Sequence, residues 1–131
     1  MFGILHNENP IRRLYKKARA RLLGWPITYR YKDAMKYWCH KESCLINTIP
    51  SIFPNWDHSP RSGKKGIILT DANPKLFRKH VTDVLELIKD KPFEERIVFI
   101  KSWNEWGEGN HMEPDLKYGR GHLEALLDCI K

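Results

Sequence analysis

Apolar positions in this chain follow helical spacing in some stretches and form short β-branched runs in others. Leu14, Ala18 and Leu22 return every four residues, which predicts a helix over about 12–23, ended by Gly24 and Pro26. A second helical pattern runs over about 31–41, with Ala34, Tyr37 and Trp38 on one side. Leu45-Ile46-Asn47-Thr48-Ile49 is short and β-branched, and reads as a strand that stops at Pro50. Residues 50–66 hold three prolines and two glycines and read as a long loop. Ile67-Ile68-Leu69-Thr70 reads as a further strand.

Asn73 and Pro74 are a cap and first-turn pair, opening a helix to about Asp90. Its stripe is Leu76-Phe77, His80-Val81, Val84-Leu85 and Ile88, and places His80 in the core; Lys91-Pro92 stops it. Residues 96–101 carry four apolar residues in a row, the signature of a strand buried on both faces. Residues 102–118 look irregular. A last helix over about 119–130 has Leu123, Leu126, Leu127 and Ile130 as its expected buried face. The order βαβα predicts an α/β fold with parallel strands and helices packed outside. Reactive groups in such folds sit in loops after the strands.

Composition narrows the picture. The chain has 131 residues, the size of one domain, with 41% hydrophobic and 30% charged residues, which is enough for a packed core. No apolar run approaches the roughly 20 residues of a membrane span. The opening Met1-Phe2-Gly3-Ile4-Leu5-His6 does not read as a secretory signal. Cys39, Cys44 and Cys129 lack zinc-site spacing and read as reduced thiols, which predicts a cytoplasmic location.

Charge is uneven. Residues 1–65 carry 13 Lys/Arg against 4 Asp/Glu, and residues 66–131 carry 10 against 12. The excess is densest over 12–21, within a basic helical lead-in, residues 1–44. Such a run is either a solvated helix face or a surface for something anionic. Peripheral contact with an acidic membrane is one such use. No zinc-finger, RNA-binding or phosphate-loop motif accompanies it, so nucleic acid is not an expected partner.

Two segments carry candidate chemistry, and both follow predicted strands. Residues 102–115 hold two Trp, two Gly, three Glu, one Asp, two Asn and one His. Aromatic faces stack on sugar C–H surfaces, and carboxylates bind hydroxyls or move protons. Glu105 and Glu108 are three apart, so a tight turn would make them converge, and Gly107 and Gly109 ease that turn. Two carboxylates flanking one bond are the usual equipment for glycosidic chemistry. The plain alternative is an acidic, Trp-anchored surface loop. A metal site on Glu105, Glu108 and His111 lacks the two-His spacing of common zinc motifs, so neither metal nor cofactor is expected. The second segment, Phe53 to Arg61, again joins Trp56 to a carboxylate, an amide and an Arg. It is either a Pro-punctuated turn or the second wall of a shared cleft.

Pro54-Asn55-Trp56-Asp57-His58-Ser59-Pro60-Arg61, the whole run Phe99 to Asp115, Lys117-Tyr118-Gly119 and Leu123-Glu124-Ala125 resemble the WbsX glycosyltransferase family, also described as a glycoside hydrolase family 99-like domain. The resemblance is strong over 45–131 and loose over 1–44. It implies a (β/α)₈ TIM-type barrel acting on polysaccharide in surface-glycan (O-antigen or capsule) biosynthesis, related to retaining endo-α-mannosidases. By that resemblance Glu105 polarises the sugar 2-hydroxyl, which attacks its own anomeric carbon, and Glu108 is the general acid/base. Asn55, Trp56, Asp57, Arg61, Trp103, Asn104, Trp106, His111 and Glu113 would bind the sugar.

A complete barrel takes about 250 residues, so the chain is expected to be a single partial domain, the C-terminal part of a truncated barrel. A separate chain supplying the missing strands is then an implied partner. The alternative function is an inactive fragment or a non-catalytic glycan-binding remnant.

Overall fold

The computed structural model describes residues 9–38 and 47–131. Helix α1 (Pro10–Leu23) starts where Asn9 Oδ1 accepts the Ile11 N–H at 2.9 Å, with Pro10 in the first turn. It ends at Gly24, whose φ of 67° is the left-handed cap that glycine adopts without cost. Strand β1 (Ile27–Arg30) follows directly. The pattern reading missed it, because four residues squeezed between Pro26 and the next helix show too little alternation to register. Helix α2 is Tyr31–Met35, shorter than the expected 31–41, and the chain turns through 36–38.

The strand expected at 45–49 is corrected. Residues 45–46 lie outside the described residues, and 47–49 are turn and irregular chain. The strand itself, β2 (Ser51–Ile52), comes after Pro50 rather than before it. Proline lacks a donor but keeps its carbonyl: Phe99 N donates to Pro50 O at 3.0 Å and Lys101 N to Ile52 O at 2.9 Å. The expected loop 50–66 also contains the short helix α3 (Ser59–Ser62) and a 3₁₀ turn, Gly63–Lys65.

Strand β3 (Ile67–Thr70) lies where the sequence puts it and pairs in parallel with β1, Ile27 opposite Ile67 through Arg30 opposite Thr70. On its other edge, residues 56–58 run antiparallel: Leu69 N donates to Trp56 O at 2.8 Å and His58 N to Ile67 O at 3.1 Å. Helix α4 (Pro74–Ile88) is capped as expected, Asn73 Oδ1 accepting Leu76 N–H at 3.0 Å, and buries Phe77, His80, Val81, Val84 and Ile88.

Strand β4 (Phe99–Ile100) pairs in parallel with β2 but is two residues long. It is not buried on both faces: Ile97 is 46% and Phe99 58% exposed. Among the described residues only β2 pairs with it, so one edge stays open. Two short strands close an antiparallel hairpin within the stretch expected to be irregular: β5 (Asn104–Glu105) and β6 (Asn110–His111). Helix α5 (Gly121–Ile130) packs on α4. Its buried face is rotated from the expected one. His122 and Ala125 are buried, Leu123 and Leu126 partly so, while Leu127 and Ile130 are 45% and 63% exposed. A Cβ on Gly121 would stand 2.8 Å from the Pro74 ring, so the starts of the two helices press together and fix the rotation.

The described strands form three two-stranded sheets, with no closed barrel among them. Tyr29, Tyr31, Ala34, Met35 and Leu69 make one core cluster. Ile52, Phe77, Val81, Val84, Met112 and Ala125 make the other. Fully buried His80 sits between ring neighbours Tyr31 and Trp38.

Candidate active site

The β5–β6 hairpin is stitched to the end of β4. Asn110 is fully buried; its Oδ1 accepts Ser102 N–H at 2.8 Å and its carbonyl accepts Ser102 Oγ–H at 2.7 Å. Between the strands, Trp106–Glu108 form a 3₁₀ turn ended by Gly109 at φ 56°. A Cβ on Gly109 would lie 3.0 Å from Asp57 Cβ, and Asp57 N donates to Glu108 O at 2.7 Å. The two sequence segments thus touch through their backbones. Asp57 also holds the first residue of α3, its Oδ1 accepting from Ser59 N at 2.9 Å and Ser59 Oγ at 2.5 Å.

Arg61 of α3 reaches both glutamates. Its Nη2 lies 2.7 Å from Glu105 Oε1 and its Nε 3.8 Å from Glu108 Oε1. His58 Nε2 stands 3.5 Å from Glu108 Oε1 and Lys101 Nζ 4.0 Å from Oε2. Glu108 is 15% exposed against 36% for Glu105, so the two carboxylates sit in unequal environments. Gly107 leaves the room this needs, since a Cβ there would stand 3.3 Å from the Arg61 guanidinium and from Glu105 Oε1.

Beside this cluster lies a cleft of about 360 Å³ lined by Asn55, Trp106, His111, Asp115, Tyr118 and His122, among others. Trp106 and His111 stack, with ring centroids 3.7 Å apart and planes at 11°. Trp106 Nε1 donates to Glu113 Oε2 at 2.6 Å. The stacked indole stays 50% exposed. His111 Nε2 and Asp115 Oδ2 are 3.3 Å apart, and Asp115 Oδ1 accepts from Lys117 N at 2.8 Å and Tyr118 N at 2.6 Å. Partial burial alone would raise the Asp115 carboxyl; the hydrogen bonds from Tyr118, Lys117 and His111 outweigh it and hold the group below its ordinary value. His122 lies against Phe77 and Tyr118, and burial pushes its imidazole down. Asn55 Oδ1, His111 Nδ1 and His122 Nε2 are buried without a hydrogen-bond partner among the described residues, and all three residues line this cleft.

The remaining predicted residues take other places. Trp103 is 52% exposed, Asn104 is exposed opposite His111, and neither lines the cleft. Trp56 packs against the first core cluster with Lys101 Nζ 4.9 Å from its ring centroid. Glu105 and Glu108 stand beside the cleft, not on its wall. Among the described residues no three His, Cys, Asp or Glu side chains converge to hold a metal ion.

The family model for Glycosyltransferase WbsX matches residues 4–126. The chain belongs to the WbsX glycosyltransferase family. Two similar proteins are those named "Uncharacterized protein WxcX" in Xanthomonas campestris pv. campestris, strains B100 and ATCC 33913. Each is 38% identical over 82 residues, which is 62% of this chain and 12% of the relative. This WbsX-family chain thus spans a small part of the length of the curated relatives it matches. No solved structure matches.

In this family member, five contributors have no role assigned from the sequence. His58 and Lys101 flank Glu108, and Asp115, Tyr118 and His122 wall the cleft. His58, Lys101, Asp115 and Tyr118 stand inside the motifs that carry the resemblance, and that was the available signal. His122 carries none, because only folding brings it to the site.

Proposed function

We propose that this chain carries the carboxylate pair and one sugar-binding wall of a glycan-active enzyme of the WbsX family. The observation that carries this reading is the cleft beside the Arg61 cluster. It offers a half-exposed indole, and Asn55, His111 and His122 on its wall each carry a buried polar atom without a hydrogen-bond partner among the described residues. Buried polar groups are nearly always paired, and a polyhydroxyl ligand supplies both the C–H surface for Trp106 and the hydroxyls for Asn55, His111 and His122. Among the described residues no helix is long and apolar enough to cross a membrane.

In the mechanism we infer, Glu105 and Glu108 act at one glycosidic bond. Glu105, held by Arg61, polarises the 2-hydroxyl of the sugar so that it attacks its own anomeric carbon. Glu105 takes up the 2-hydroxyl proton in that step while Glu108, the more buried carboxyl, protonates the leaving oxygen. Water then attacks the anomeric carbon and reopens the anhydro ring, giving its proton to Glu108 as Glu105 returns the first proton to the 2-oxygen. His58 and Lys101 position Glu108. The architecture we propose is the C-terminal part of a (β/α)₈ barrel. The parallel β1·β3 and β2·β4 ladders, with α4 and α5 packed against the strands' core, support it. The open edge of β4 is where further strands would add, from the same protein or another chain.

Glu108→Gln and Glu105→Gln test the mechanism on α-mannosidic oligosaccharides. Each is expected to lower turnover on the order of 10²–10⁴-fold, the usual range for an acid–base group, with glycan affinity changed only slightly. Turnover that survives both substitutions contradicts the mechanism. Binding with no turnover in the unsubstituted chain supports instead a glycan-binding remnant.

A further inference from the structure

Helix α1 is seated with charge inward and apolar surface outward. At about 100° per residue, Ile11, Leu14, Tyr15, Ala18 and Leu22 form one stripe, Arg13, Lys16 and Ala20 form the opposite side, and Arg19 lies between the two. The second set and Arg19 are half-buried, while Ile11 is 78%, Leu14 69%, Tyr15 65% and Leu22 83% exposed. The inner row is held by aromatic rings: Lys16 Nζ stands 3.6 Å from the Tyr29 centroid and the Arg19 guanidinium 5.5 Å from the Trp25 ring. A surface helix ordinarily does the reverse. The outward stripe is bordered by Lys17 and Arg21 on one side and Arg12 on the other. Helix α1 holds six basic residues and no acidic one, and Trp25, just past its cap, is 56% exposed.

We propose that this stripe is a membrane-surface contact, with α1 lying in the plane of an anionic bilayer. Its apolar side chains enter the headgroup–acyl boundary, and Lys17, Arg21 and Arg12 meet lipid phosphates. Charge chooses the occupant. A second copy docking on the same stripe would bring two all-basic helices together, which like-charge repulsion opposes. An anionic bilayer satisfies both the apolar stripe and its basic borders. The inference is independent of the glycan reading, since it uses no residue of the hairpin or its cleft.

Co-sedimentation of the chain with vesicles tests it. Vesicles of equal parts phosphatidylglycerol and phosphatidylcholine are expected to bind at least roughly tenfold more strongly than phosphatidylcholine alone, and high salt should weaken that binding. The double variant Leu14→Ser/Leu22→Ser alters two exposed side chains. It is expected to lose about tenfold or more on anionic vesicles, with an unchanged circular dichroism spectrum. Absence of vesicle binding overturns the proposal. So does undiminished binding of the double variant, which would leave only charge at work. A dimer seen by light scattering and abolished in the variant would also overturn it, by assigning the stripe to a second copy.

Discussion

His80 shows how burial sets chemistry at a single residue. It is fully buried, and that desolvation lowers its pKa to about 4, against the opposing pull of Asp83 and a Ser51 backbone hydrogen bond. The unfolded chain takes up the proton near 6.5; the folded one does not. The stabilising contribution is therefore complete above 6.5 and falls as pH drops towards 4. A shift of this size corresponds to roughly 3 kcal/mol. Denaturant unfolding at stepped pH checks it: the native chain should lose stability across that window, and His80→Gln should lose less. His80 was legible as a core residue because it shares the apolar stripe of α4. His122 was not. It lies on the rotated face of α5, which depends on Gly121 meeting Pro74, a contact between residues 47 positions apart.

At the scale of elements, the hairpin is the unit that joins the two motif segments. Its turn depends on Gly109, where a side chain meets both a left-handed backbone and Asp57 Cβ at 3.0 Å. Gly109→Ala is expected to cost about 1–2 kcal/mol in stability. It should also lower turnover, because the shift loosens the Asp57–Glu108 backbone bond. Thermal unfolding and turnover assays check the two effects, and a neutral Gly109→Ala would show that the turn tolerates rearrangement. Elements with local signals were readable: the Asn73–Pro74 start of α4, the β-branched β3, and the tight turn implied by Gly107 and Gly109. Elements defined by partners were not. β1 exists because β3 pairs with it, and β2 lies beyond Pro50 because β4 reaches the Pro50 carbonyl. The apolar run 96–101 promised a strand covered on both sides. Covering depends on neighbouring strands, and among the described residues β4 has one.

Across the whole molecule, the two proposals fall on separate surfaces: the carboxylate hairpin with its cleft, and the outward apolar stripe of α1. The glycan account requires that sugar contact Trp106 and leave Trp25 untouched. The most direct test is an NMR titration of the ¹⁵N-labelled chain with an α-mannosidic oligosaccharide, following the indole N–H signals. The account predicts that the Trp106 signal shifts in a saturable way, with its Glu113 hydrogen bond perturbed, while Trp25 stays fixed. Saturable binding that moves Trp25 and spares Trp106, or no shift of any indole at saturating sugar, would contradict it.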